Sequence, residues 1–354
     1  MKNLKSILLV LSLVVSSVLS AKDWEKDYRE MIGLYDVPVS VRQLTKENKS
    51  SDFWDALLND NLKLKKLKED IEKGRGAEKE ALRRVDIMSI YDIDFEPGIM
   101  REYDAYMDSL RIEMGISADW CSLHVCDDDS PNAFTGLTID NKFCVFVNKG
   151  LFNLFTGDED MLIGTIAHEL AHGLLKHHLD TEYAVAKKKR KDKILAGIAI
   201  GLQCAAAVAE TYMASTSGVE ANPEAYAENI EEIMWDLDKR KILYRYKYYR
   251  GNELEADLVA FRFMQWKVGD GEKYIRLLQR LRRFEDIGAD LEADEKGTNE
   301  LSDHPSAYYR IQMLRYAGSH PEAGNKWEEL ERKREAKKSA MEKDNKVYHD
   351  DIYM

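Results

Sequence analysis

The chain has 354 residues, with 64 acidic side chains against 52 basic ones and a formal net charge of −12 at neutral pH. That length suffices for one substantial catalytic domain with additions. The acidic balance argues against general nucleic-acid binding.

The first element is a leader. Two lysines, Lys2 and Lys5, precede a mostly apolar run from Ile7 to Leu19, and small residues follow at Ser20-Ala21. A basic head, an apolar middle and a small-residue exit predict a secretory signal peptide over 1–20. The expected location is exported, either periplasmic or extracellular. An uncleaved N-terminal anchor is the alternative.

Residues 22–95 read as a charged helical region. Trp24, Tyr28, Met31, Leu34, Phe53, Trp54, Leu57 and Leu58 form stripes that should pack on the main domain. Glu96-Pro97-Gly98 breaks the pattern and opens the main domain. A helix from Ile99 to Met114 should lead to strands near Ser122–Val125 and Phe143–Val147.

The next helix carries His168-Glu169-Leu170-Ala171-His172. Thr156 or Asp158 can cap it, and Glu159 and Asp160 suit its first turn, where the helix dipole favours negative charge. Histidines four apart share a helix face, so both can bind one zinc ion. Glu169 beside them can act as general base. An accidental motif on an ordinary core helix is the bland alternative.

Lys187–Lys193 is basic, and 194–209 is almost wholly apolar. This stretch is short and weakly hydrophobic for a spanning helix, so a buried or lid helix is expected, with membrane contact as the alternative. A later helix carries Glu253 and Asp257, four apart on one face. Either carboxylate can be the third metal ligand while the other orients a ligand; Glu255 falls on a different face. His304 stands before Pro305, which suits a helix start, and Arg310 follows. Residues 318–354 form a charged helical or loose tail.

Four cysteines, Cys121, Cys126, Cys144 and Cys204, allow three full pairings. One bridge among the first three is expected in an exported chain, with Cys204 free.

Taken together and in order, these motifs resemble the zinc metallopeptidase family 48, which includes HtpX, the CAAX prenyl proteases and BepA. The resemblance rests on His168–His172, on Glu253-Leu254-Glu255-Ala256-Asp257, and on His304-Pro305 with Arg310. It extends to Asn132-Ala133-Phe134, the Phe143–Val147 strand, Gly150-Leu151 and His177. The glycine pair usual after Asn-Ala-Phe is replaced here by Thr135-Gly136-Leu137.

The resemblance implies an α+β, mainly helical fold: a zincin-like domain with a small antiparallel sheet. It implies one zinc held by His168, His172 and Glu253, with Asp257 behind them. Glu169 is then the general base. His304 is either a transition-state aid or a plug on the metal, and Arg310 supports the site by pairing with a carboxylate. Asn132, Ala133 and Phe134, with the edge strand Phe143, Cys144, Val145, Phe146 and Val147, should receive an extended substrate backbone to backbone. That mode suits unfolded or misassembled envelope proteins. The alternative function is a latent or inactive chaperone or binding module with His304 blocking the zinc.

Overall fold

The computed structural model describes residues 24–74, 76–85, 90–138, 142–155, 157–217, 223–285 and 304–321, with short pieces of 328–339. The leader lies outside the described residues, as does most of the tail. The architecture is α+β and mainly helical.

Among the described residues, five helices come first: α1 (Trp24–Tyr35), α2 (Val39–Arg42), α3 (Ser50–Asp60), α4 (Leu62–Glu72) and α5 (Ala77–Val85). Strand β1 (Ile90–Tyr91) follows, then a 3-10 turn at Arg101–Tyr103 and α6 (Asp104–Glu113). The helix expected from Ile99 therefore starts later. Strands β2 (Cys121–Cys126), β3 (Ala133–Thr138) and β4 (Phe143–Asn148) come next. The remaining helices among the described residues are α7 (Lys149–Leu154), α8 (Glu159–Leu174), α9 (His177–Ser217), α10 (Pro223–Lys267), α11 (Glu272–Glu285) and α12 (Ala307–Ser319).

The sheet corrects two expectations. Its order is β1-β3-β4-β2, and only β3 and β4 run antiparallel; β1 with β3 and β2 with β4 are parallel, so the sheet is mixed. Moreover, β4 is an interior strand rather than an edge. It is paired along its length by β2 and β3, and all six of its residues are buried. An unbroken apolar run is the mark of a strand covered on both faces. Phe143, Val145 and Val147 belong to the main core, while Phe146 stacks among Tyr91 and Phe134 on the other face.

The core is continuous from the N-terminal helices to α12. Phe53 and Trp54 of α3 pack on Phe263 of α10, with ring centroids 5.0 and 4.8 Å away. Tyr28 packs on Tyr309 and Tyr316. Asp36 forms a buried ion pair with Arg262 at 3.0 Å. The stretch before residue 96 thus supplies both core and, through β1, sheet.

Helix α8 lies across the sheet so closely that a Cβ on Gly173 would meet the Phe143 ring at 2.3 Å. Asp158 stands at its N-cap position but makes no cap hydrogen bond and faces Arg280 at 3.8 Å instead. Between α8 and α9, Lys176 adopts φ 55°, the left-handed turn common just past a helix end.

The apolar stretch 194–209 is the middle of α9. It is neither buried nor closed over the sheet: Ile194, Leu195, Ile198, Leu202 and Val208 are all more than half exposed. Ala196 is buried near its start, where α9 packs against α10 and α5, and most of the rest faces solvent. No described helix is long and apolar enough to cross a membrane. The four cysteines are free thiols, so the expected bridge is not formed. Cys121 and Cys126 stand at opposite ends of β2, and Cys144 sits one register step from Cys121.

Candidate metal centre

Helical periodicity brings His168 and His172 together on α8, with their Nε2 atoms 3.2 Å apart. From α10, Glu253 turns its carboxylate toward both: Oε2 lies 3.3 Å from His168 Nε2, and Oε1 lies 3.3 Å from His172 Nε2. Ligand atoms of these three residues all fall within 4.8 Å of one another, and among the described residues this is the one such group. Two imidazole nitrogens and a carboxylate oxygen are a donor set that divalent transition metals accept.

The outer nitrogens of the two histidines are already occupied. His168 Nδ1 lies 3.1 Å from Asp257 Oδ1 and 3.0 Å from the Tyr274 hydroxyl. Asp257 is fully buried and accepts two hydrogen bonds of 2.7 Å from Arg310 and one of 2.8 Å from Tyr274. Arg310 therefore pairs with the Asp257 carboxylate. His172 Nδ1 lies 3.0 Å from His177 Nδ1. With their Nδ1 atoms engaged outward, both rings present Nε2 inward.

Electrostatics favour a positive charge at this point. Burial lowers the pKa of His168, but Asp257 and Glu253 overcome that effect and raise it to about 10. For Asp257, burial works upward, yet Arg310 and His168 hold it well below the usual carboxylate range. Glu253 is held low in the same way, against burial, by His172, His168 and His304. A bound cation fits this environment.

Glu169 reaches the same cleft. Burial raises its carboxyl to about 7. The Thr135 hydroxyl donates to its Oε2 at 2.9 Å and to its main-chain oxygen at 2.6 Å. The cleft has a volume of about 380 Å³, and Asn132, Ala133, Leu277 and His304 line it beside the metal group. His304 Nδ1 lies 3.0 Å from Glu253 Oε2, and its side chain is 56% exposed at the mouth. It does not belong to the three-residue group.

The expected substrate residues divide. Strand alternation turns Ala133 and Thr135 toward α8 and Phe134 away, where its ring meets Phe146 at 4.9 Å. Phe134 is thus outside the cleft. Phe143, Cys144, Val145, Phe146 and Val147 are also outside it, because β4 is buried and paired on both sides. The residues from Ala133 to Gly136 pair with β4 alone, since β1 covers only Leu137 and Thr138. The open edge beside Glu169 is therefore β3. With a glycine and two threonines, this strand lacks the apolar pattern that marks the strands expected from the sequence. Thr135 and Tyr274 were not anticipated as site residues either. Neither belongs to a metal-ligand pattern, and their roles depend on contacts to distant helices.

A sequence model of one family, Peptidase family M48, matches residues 101–318. No curated protein matches significantly. The match covers more than half of the chain, which belongs to that family and is a metallopeptidase.

Proposed function

We propose that this family M48 peptidase is a zinc-dependent endopeptidase that cleaves extended polypeptide laid along the free edge of β3. The convergence of His168, His172 and Glu253 at one end of a cleft that also holds Glu169 carries this reading. Zinc held by those three residues would supply the Lewis acid that activates water and polarises the scissile carbonyl.

The chain's own residues do the rest. Glu169 takes a proton from the attacking water and passes it to the leaving amine. A carboxyl raised toward neutrality by burial is suited to both transfers. Thr135 holds Glu169 in place, and the same strand, laddered to β4 on one side, offers its other side from Ala133 to Gly136, where His178 already bonds the Thr135 backbone. Pairing through backbone reads little side-chain sequence and requires an extended chain, which supports unfolded or misassembled proteins as substrates.

Digestion of casein tests the reading. Activity should vanish with a zinc chelator and return with added zinc. Chelator-resistant digestion, or none under any metal, would sink it. The contact between His304 and Glu253 favours a second reading, a latent enzyme with His304 as its plug. Higher activity in His304→Ala would support the plug; lost activity would make His304 a catalytic aid.

The leader pattern supports an exported enzyme. Its mature chain should begin near Ala21 or Lys22 by N-terminal sequencing. The exposed apolar row on α9 supports peripheral membrane contact, which vesicle flotation with and without salt can check.

A further inference from the structure

Lys63 is the second residue of α4, a helix capped by the Asn61 side chain. The first turn of a helix is where its dipole disfavours a cation. The Lys63 ammonium is nevertheless drawn inward, with only 13% of the side chain exposed. It lies 2.6 Å from Glu255 Oε2, 2.9 Å from Asp180 Oδ2 and 3.2 Å from Asn252 Oδ1. It donates hydrogen bonds to Glu255 and Asn252 and pairs with Asp180 by charge. Asn61 also reaches Glu255, at 3.5 Å.

The far side of Glu255 leads to the metal group. Its Oε2 lies 3.4 Å from His177 Nε2, a charge contact rather than an aligned hydrogen bond and the longest link of the series, and His177 Nδ1 lies 3.0 Å from His172 Nδ1. His172 faces the metal position with Nε2, so as a neutral ligand it keeps its proton on Nδ1. That proton points at His177 Nδ1, which must accept it. His177 then carries its own proton on Nε2, facing Glu255. The tautomers run in one direction and end on a carboxylate whose charge Lys63 balances.

We propose that Lys63 is a positioning residue for the metal site. Acting through Glu255 and His177, it fixes the ring orientation and tautomer of His172. The proposal rests on the metallopeptidase reading above. Lys63 precedes the matched segment 101–318, so the N-terminal helices complete the site rather than merely decorate it.

The test uses the full chain and zinc affinity measured by competition with a chromogenic chelator. Lys63→Met leaves two buried carboxylates without their cation, so the milder Lys63→Gln is read beside it. Either variant should bind zinc roughly ten- to a hundredfold more weakly while keeping its helical circular dichroism. Lys63→Arg should recover most of the loss. In a His177→Ala background, the Lys63→Gln change should cost no further zinc affinity. Unchanged affinity in folded Lys63→Gln, or an equal loss in both backgrounds, overturns the proposal and leaves a plain structural ion pair. Wild-type protein that binds no zinc overturns the proposal together with the reading beneath it.

Discussion

The two metal-facing histidines are backed in parallel but from different parts of the molecule. Behind His168, Asp257 is clamped by Arg310 and Tyr274, all within the matched segment. Behind His172, His177 and Glu255 lead to Lys63 on a helix outside it. The first arrangement is short and rigid, with a bidentate guanidinium. The second is longer, passes through an extra imidazole and ends on a shared ammonium. A ligand can thus be oriented by a compact local clamp or by a relay that recruits another region of the chain.

The largest effect should come from the group that both histidines serve. Glu169→Gln should lose activity by roughly a hundred- to ten-thousandfold while keeping its zinc, by peptidase assay and metal analysis. Normal turnover would remove Glu169 as the base. Next comes the difference between the two backings. Asp257→Asn leaves Arg310 buried without its partner charge and should cost about 3–5 kcal/mol in urea unfolding. Glu255→Gln should cost less, about 1.5–3 kcal/mol, because Lys63 retains Asp180. Equal costs would erase the distinction between clamp and relay.

Acid sharpens it further. Burial works to raise Glu255, but Lys63 and His177 bring it down to about 2, against an ordinary 4.5. A depressed folded value contributes stability that is present above 4.5 and is lost as pH falls through about 2. Unfolding measured over that window should decline in the wild type and decline less steeply in Glu255→Gln. The smallest effect is expected from Tyr274→Phe, about 1 kcal/mol, since Arg310 still holds Asp257. A loss as large as that of Asp257→Asn would make the hydroxyl, not the guanidinium, the main clamp.

The spacing of the compact clamp is legible in the sequence, Tyr274 apart, and the Lys63 end of the relay is not. His168 and His172, or Glu253 and Asp257, stand four apart, so helical periodicity alone aligns them. Arg310 was already expected to pair with a carboxylate. Lys63, by contrast, is one lysine among several in a charged helix, and 192 positions separate it from Glu255. Only tertiary packing distinguishes it from Lys65 or Lys66. The sheet was misread for a related reason. The run Phe143–Val147 announces burial, but a single strand does not disclose its neighbours. The Ala133–Thr138 strand alternates between cleft and aromatic cluster, with a glycine that admits the Tyr91 ring, and so imitates a loop.

The long pair α9 and α10 has a mechanical consequence. Every residue from Gly251 to Met264 is buried, whereas Met234 and Trp235, further out on the same helix, are more than half exposed. Glu253 and His177 therefore sit near the fulcrum of a projecting lever. From Pro223 to Glu253 the helix runs about 45 Å, so a tilt of about five degrees sweeps its outer end through about 4 Å. The same tilt scarcely displaces the carboxylate at the pivot. A displacement at the outer end is thus reduced many-fold by the time it reaches the coordination geometry at the root.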